Sequence, residues 1–153
     1  MRTFATVGLI AGTLVGCSAS DLDWRYPSKL PARANDIEEC NVIAKPGIHQ
    51  RGSTYAGCML AKGHQVRMGI DDRDPLGTGS GVPVIWVEAT RPHEVDEAAR
   101  DVMECRRAAQ AAISGYATAS MVSAIDTWPT LEAGFAQCME PRGYRWSRWV
   151  PER

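Results

Sequence analysis

From Pro92 to Ile113 the apolar side chains recur with a helical period. Val95, Ala98, Ala99, Val102, Cys105, Ala109, Ala112 and Ile113 form one continuous stripe, the pattern of a helix laid on a core. Glu94, Asp96 and Glu97 crowd its first turns, where the helix dipole favours negative charge. A shorter helix places Ile37, Cys40 and Ala44 on one face, with Asn35 positioned to cap it and Glu38 three residues on. Ser53 is positioned to cap a helix over Thr54–Lys62, and Gly63 suits the left-handed residue that would end it. Leu131, Phe135, Cys138 and Met139 mark a further helix, capped by Thr130 and ended or distorted by Pro141.

Between these helices the period changes to two. His64, Val66 and Met68 alternate after Gly63, and Tyr144 and Trp146 alternate after Gly143. Val82–Glu88 is rich in strand formers, and Pro83 argues for an edge position there. The pattern therefore predicts an α+β fold, mainly helical, with a small antiparallel sheet.

Composition narrows the class. The chain has 153 residues, 44% apolar and 23% charged, with a formal net charge of −1. It is too apolar and too evenly charged to be disordered, and long enough for one ordinary domain. No concentrated basic surface is signalled, so a nucleic-acid partner is not expected. No apolar run reaches the roughly 18 residues that span a bilayer.

The N-terminus carries the most specific signal. Met1-Arg2 precedes a short run of small and apolar residues, TFATVGLIAGTLV, as in a secretory signal. Leu14-Val15-Gly16-Cys17 then resembles the lipobox of bacterial lipoproteins. The resemblance implies cleavage before Cys17 and lipid on that cysteine, with residues 1–16 as signal peptide. Ser18 follows, not the Asp associated with inner-membrane retention in such proteins. The resemblance thus implies the periplasmic face of the outer membrane; the outer leaflet of the inner membrane or a soluble periplasmic form are the alternatives. Residues 17–35, with two prolines and no clear period, read as a lipidated terminus and tether. Trp24 and Tyr26 within it have two places open to them, the headgroup level or the domain.

With Cys17 assigned to lipid, Cys40, Cys58, Cys105 and Cys138 remain, and an exported, oxidising setting favours disulfides. An internal similarity suggests their pairing. Glu-Cys occurs at 39–40 and at 104–105, while YAGCMLAKGH at 55–64 is echoed by FAQCMEPRGY at 135–144. The chain reads as two related disulfide-stapled units, 36–70 and 82–153, joined by a loop at 71–81 within one domain, 36–153. Keeping each bridge inside its unit gives Cys40–Cys58 and Cys105–Cys138. The C-M-x-x-[RK]-G-Y element resembles a pattern of small proteobacterial lipoproteins of unassigned function. Phe135, Cys138, Met139, Arg142, Gly143 and Tyr144 carry it in the second unit. The first has Tyr55 for Phe and His64 for Tyr.

The search for chemistry returns little. Asp71, Asp72 and Asp74 could collect a hard cation, but lack the later Glu and central Gly of an EF-hand loop. The glycines after them lack the Lys-Ser/Thr of a phosphate loop. Met59, His64 and Met68 are conceivable copper ligands in an exported protein; His49 and His93 stand apart from them, and no metal or other cofactor is expected. No nucleophile elbow is present, and Asp36, Glu38, Glu39, Glu94 and Glu97 all fall at helix starts. No catalytic residue is assigned.

One segment invites a functional reading. Arg142, Arg145 and Arg148 interleave with Tyr144, Trp146 and Trp149, and guanidinium groups beside aromatic faces suit anionic sugars, headgroups or carboxylates. The expectation is a membrane-anchored, non-catalytic structural or accessory subunit that meets an envelope protein or the cell wall through this segment. A binding module for a glycan, another anionic ligand or copper is the first alternative, and an enzyme the second.

Overall fold

The computed structural model describes residues 26–31, 33–45, 50–70, 84–117 and 128–148, with residues 114–117 as backbone alone. Four helices form there: α1 over Ala34–Ala44, α2 over Arg51–Ala61, α3 over Val95–Ala117 and α4 over Trp128–Met139. Three strands, β1 (Val66–Gly69), β2 (Val84–Ala89) and β3 (Tyr144–Arg148), make an antiparallel sheet in the order β1-β2-β3. The fold is α+β and mainly helical, as the pattern predicts. No helix of the described residues is long and apolar enough to cross a membrane.

Successive helices are neighbours: α1 packs on α2, α2 on α3 and α3 on α4. The register pairs Val66 with Val87 and Val87 with Trp146. One sheet face therefore carries Val66, Met68, Ile85, Val87 and Tyr144, all buried in a common core with Met59, Leu60, Val102, Phe135 and Met139. The other face carries Arg67, Trp86, Glu88, Arg145 and Ser147. Removing alternate strand residues from water is what drives the sheet onto the helices.

Two disulfides staple the helices, Cys40–Cys58 joining α1 to α2 and Cys105–Cys138 joining α3 to α4. In the chain-entropy model, bridges spanning 18 and 33 residues remove about 3.2 and 3.7 kcal/mol of unfolded-state freedom. Gly63 ends α2 at φ 83°. Its N–H donates to the Leu60 carbonyl at 2.9 Å, and the His64 N–H donates to Met59 at 3.0 Å, the paired closure of a Schellman motif. Gly143 takes φ 93° after the 3-10 turn Glu140–Arg142, where Pro141 has ended α4.

Several local expectations are corrected. Asn35 and Ser53 cap nothing: α1 starts at Ala34 and α2 at Arg51, with Arg33 and Gln50 at the cap positions and no side-chain cap bond at either. Ser53 is instead buried, its hydroxyl accepting from Arg106. Thr130 lies inside the first turn of α4, which begins at Trp128. The strand expected at an edge because of Pro83 is central, since β2 begins at Val84 and pairs on both sides.

The fold also begins upstream of residue 36. The Lys29 N–H donates to Gln65 and the Arg67 N–H to Pro27, both at 2.9 Å, and Ser28 bridges to Val66. Residues 26–29 thus line the free edge of β1. Tyr26, 2% exposed, lies in the core against Tyr55. Of the two places open to it, Tyr26 takes the domain; Trp24 and Cys17 lie outside the described residues.

Candidate functional site

The ionisable side chains gather at two helix–strand corners, one beside each disulfide. In the first, Asp36 sits one turn before Cys40 on α1. Its carboxylate meets His64 Nε2 at 3.0 Å and Lys62 Nζ at 3.3 Å, and the Lys62 ammonium also donates to Glu39 at 2.9 Å. The His64 bond, with help from Lys62, holds Asp36 below its ordinary pKa, and Glu39 holds Lys62 above its own. Gly63 makes this possible, because its left-handed turn carries the chain from Lys62 back over α1 to His64.

The second corner has the same parts. Asp101 sits one turn before Cys105 on α3. Arg142 donates to Asp101 at 2.7 Å and to Glu104 at 2.8 Å, and the buried Tyr144 hydroxyl donates to Asp101 at 3.2 Å. Glu104 first, then Asp101, raises the Arg142 pKa. Burial, followed by the Asp101 charge, pushes the Tyr144 phenol well above its usual value.

This corner extends one turn further. The His93 ring stacks on Tyr144 with centroids 4.3 Å apart and brings Nδ1 within 3.2 Å of the phenol oxygen. Glu97 takes a 2.8 Å bond from Arg91, which holds its carboxyl below the ordinary range. His93, Glu97 and Asp101 bring their ligating atoms within 4.8 Å of one another, so they are the best metal constellation among the described residues. Their chemistry is otherwise committed. Arg91 and Arg142 already pair with the two carboxylates, and a divalent cation would have to compete with both guanidinium groups for their charge.

The copper ligands conceivable from the sequence, Met59, His64 and Met68, are all buried. Met59 and Met68 are enclosed in the core and His64 directs Nε2 to Asp36. Asp71, Asp72, Asp74 and His49 lie outside the described residues.

The C-terminal arginine–aromatic segment is divided between the core and the surface. Tyr144 is core, Arg142 is locked to Asp101 and Glu104, and Trp146 is half-buried with its indole N–H donating to Glu140 at 3.1 Å. Arg148 stays exposed but forms a bidentate pair with the buried Glu132 of α4. Arg145 faces the opposite way and pairs with Glu88 at 2.8 Å. Trp149 lies outside the described residues. Strand alternation divides the segment: Tyr144, Trp146 and Arg148 face the helices while Arg145 does not.

Two features were missed from sequence. Arg106, wholly buried on α3, donates to Ser53 Oγ and to the Gly69 carbonyl, each at 3.0 Å, and lays its guanidinium 5.6 Å from the Tyr26 ring. It ties α2, α3, β1 and the N-terminal segment together. The paired acids were also missed, although the signal is present: Asp-x-x-Glu-Cys occurs at 36–40 and again at 101–105. No protein-family model, curated protein or solved structure matches this chain.

Proposed function

We propose that this chain is a lipid-anchored, periplasm-facing outer-membrane lipoprotein and a non-catalytic structural or accessory subunit of an envelope assembly. Its globular part consists of two related units placed side by side. The observation that carries the reading is the matched pair of stapled corners. Each has a disulfide, an acid one turn before the first cysteine, a second acid directly before it, a cation four residues after the second cysteine and a ring two residues further on.

The surroundings match as well. Ser28 pairs with Val66, and Val87 pairs with Trp146; Val66 and Trp146 both follow their unit's second cysteine by eight residues. Each unit therefore runs extended segment, helix, helix, strand, and the two join edge to edge. Duplication of a stapled scaffold accounts for this agreement more economically than two independent origins.

Disulfides of this kind persist in oxidising compartments, which agrees with the lipobox at Leu14–Cys17. The ionisable groups at both corners serve to fasten helix to strand, a structural task, and this supports the non-catalytic reading. The partner is an envelope protein or the cell-wall layer. Replacing Cys17→Ser tests the anchor. The variant is expected to leave the membrane fraction or to accumulate unprocessed; processed protein that still floats with membranes would refute it.

A further inference from the structure

We propose that the corner formed by Lys29, Leu30, Pro31 and Arg33 faces the membrane and rests on the anionic phospholipid headgroups of the leaflet that holds the anchor. The proposal rests on the lipid-anchored reading above and adds an orientation to it. Three independent observations meet at this corner.

The first is reach. Tyr26 is buried and lies over Gly52, where an added Cβ would fall 1.9 Å from its hydroxyl. The chain is thus fixed to the fold at residue 26, and nine peptide steps separate it from Cys17. Fully extended, they span about 30 Å, and as a flexible coil about 17 Å on average. The edge of the domain that carries residues 26–33 is therefore held within about 30 Å of the lipid.

The second is charge. Arg25, Lys29 and Arg33 recur every four residues, and residues 24–35 contain no acid. Lys29 and Arg33 are exposed. The next acids along the chain are Asp36, Glu38 and Glu39; Lys62 pairs with Asp36 and Glu39, and Asp36 also bonds His64, while Glu38 is exposed one turn beyond Arg33. On the adjoining sheet face Lys29 stands 5.4 Å over the Trp86 ring. A basic stretch next to a lipid anchor is the arrangement that anionic headgroups attract.

The third is apolarity. Leu30 is 56% exposed, one of two large hydrophobic side chains among the described residues that stand out from the surface. Flanked by Lys29 and Arg33, it would enter the headgroup boundary while the cations stay at phosphate level. A rigid protein partner would need acids at this site. The bilayer supplies them at the distance that the anchor imposes.

The chain contains three lysines, Lys29, Lys45 and Lys62, so pulse acetylation reads the orientation directly. Full-length lipidated protein would be reconstituted in vesicles of phosphatidylcholine alone or of phosphatidylcholine with phosphatidylglycerol. Exposed Lys45 at the far end of α1 serves as the internal reference. Lys29 labelling relative to Lys45 should fall roughly threefold or more in the anionic vesicles, and high salt should restore it. Arg33→Glu should weaken the protection. Equal Lys29 labelling in both vesicles, or protection indifferent to lipid charge and salt, would overturn the orientation while leaving the anchor intact. Protein that floats with neither vesicle would overturn the anchor and the orientation together.

Discussion

Gly57 offers the sharpest test of how α2 meets α3. It lies on α2 where that helix crosses α3, and a Cβ built on it would fall 2.3 Å from the Ala99 nitrogen, 2.4 Å from the Ala99 Cα and 2.8 Å from the Ala98 carbonyl carbon. All three are backbone atoms, so no side chain can rotate aside. To reach ordinary contact the helices would have to part by about 1 Å, and the buried positions around the seam would loosen with them. Overpacking of this kind costs typically about 1–3 kcal/mol, and the absence of a movable neighbour places Gly57→Ala toward the upper end. Ala recovers about 1 kcal/mol of helix propensity over Gly, leaving a net loss of about 2 kcal/mol. For a domain of this size that is a fall in Tm of about 8 °C. Gly134→Ala is the matched control: its Cβ would meet Ala109 Cα at 3.3 Å and Ala112 Cβ at 3.6 Å, tight but yielding, so it should lie within about 1 kcal/mol of the parent. Urea unfolding of the oxidised proteins measures both. A Gly57→Ala midpoint at or above the parent's would refute the close crossing and the seam built on it.

Removing either disulfide by paired Cys→Ala substitution should lower stability by about 3–4 kcal/mol; full retention in thermal unfolding would contradict the stapled fold. Arg106→Met keeps the bulk but removes the bonds to Ser53 and Gly69, with an expected loss of about 2–4 kcal/mol, read by denaturant midpoint. At alkaline pH the raised Tyr144 pKa has a definite sign. The folded state keeps its proton longer than the unfolded chain, so the stabilisation is complete below pH ~10 and declines as pH rises beyond it. A stability–pH titration should show this alkaline decline reduced in Tyr144→Phe.

How far the sequence reveals the fold depends on how local the determining physics is. α3 is legible because Ala98, Val102, Cys105 and Ala109, all buried, repeat at helical spacing. The helix ends at Gly63 and Gly143 are legible because the left-handed backbone favours glycine. The bridges follow from the repeat of Cys-Met motifs. Tyr26 is not legible: a tyrosine among prolines reads as linker, and only the pairing of residues 27–29 with β1 brings it inside. Arg106 is hidden for the opposite reason. A charged residue beside a core stripe reads as solvent-facing, and its partners are 53 and 37 residues away. Pro83 misplaced β2 because it precedes the strand and removes no ladder bond from Val84–Ala89. In the arginine–aromatic C-terminus the alternation of β3 is legible from the period of two, but the partners it brings, Glu132 for Arg148 and Glu88 for Arg145, are not, because they lie on other elements.

The central claim is an anchored scaffold of two stapled units, and intact mass spectrometry of the mature protein purified from membranes, followed by a non-reducing peptide map, tests it most directly. The account predicts an acylated N-terminal Cys17 and two linked peptide pairs, Cys40 with Cys58 and Cys105 with Cys138. An unmodified N-terminus would contradict the anchor, and crossed bridges or free thiols would contradict the two units.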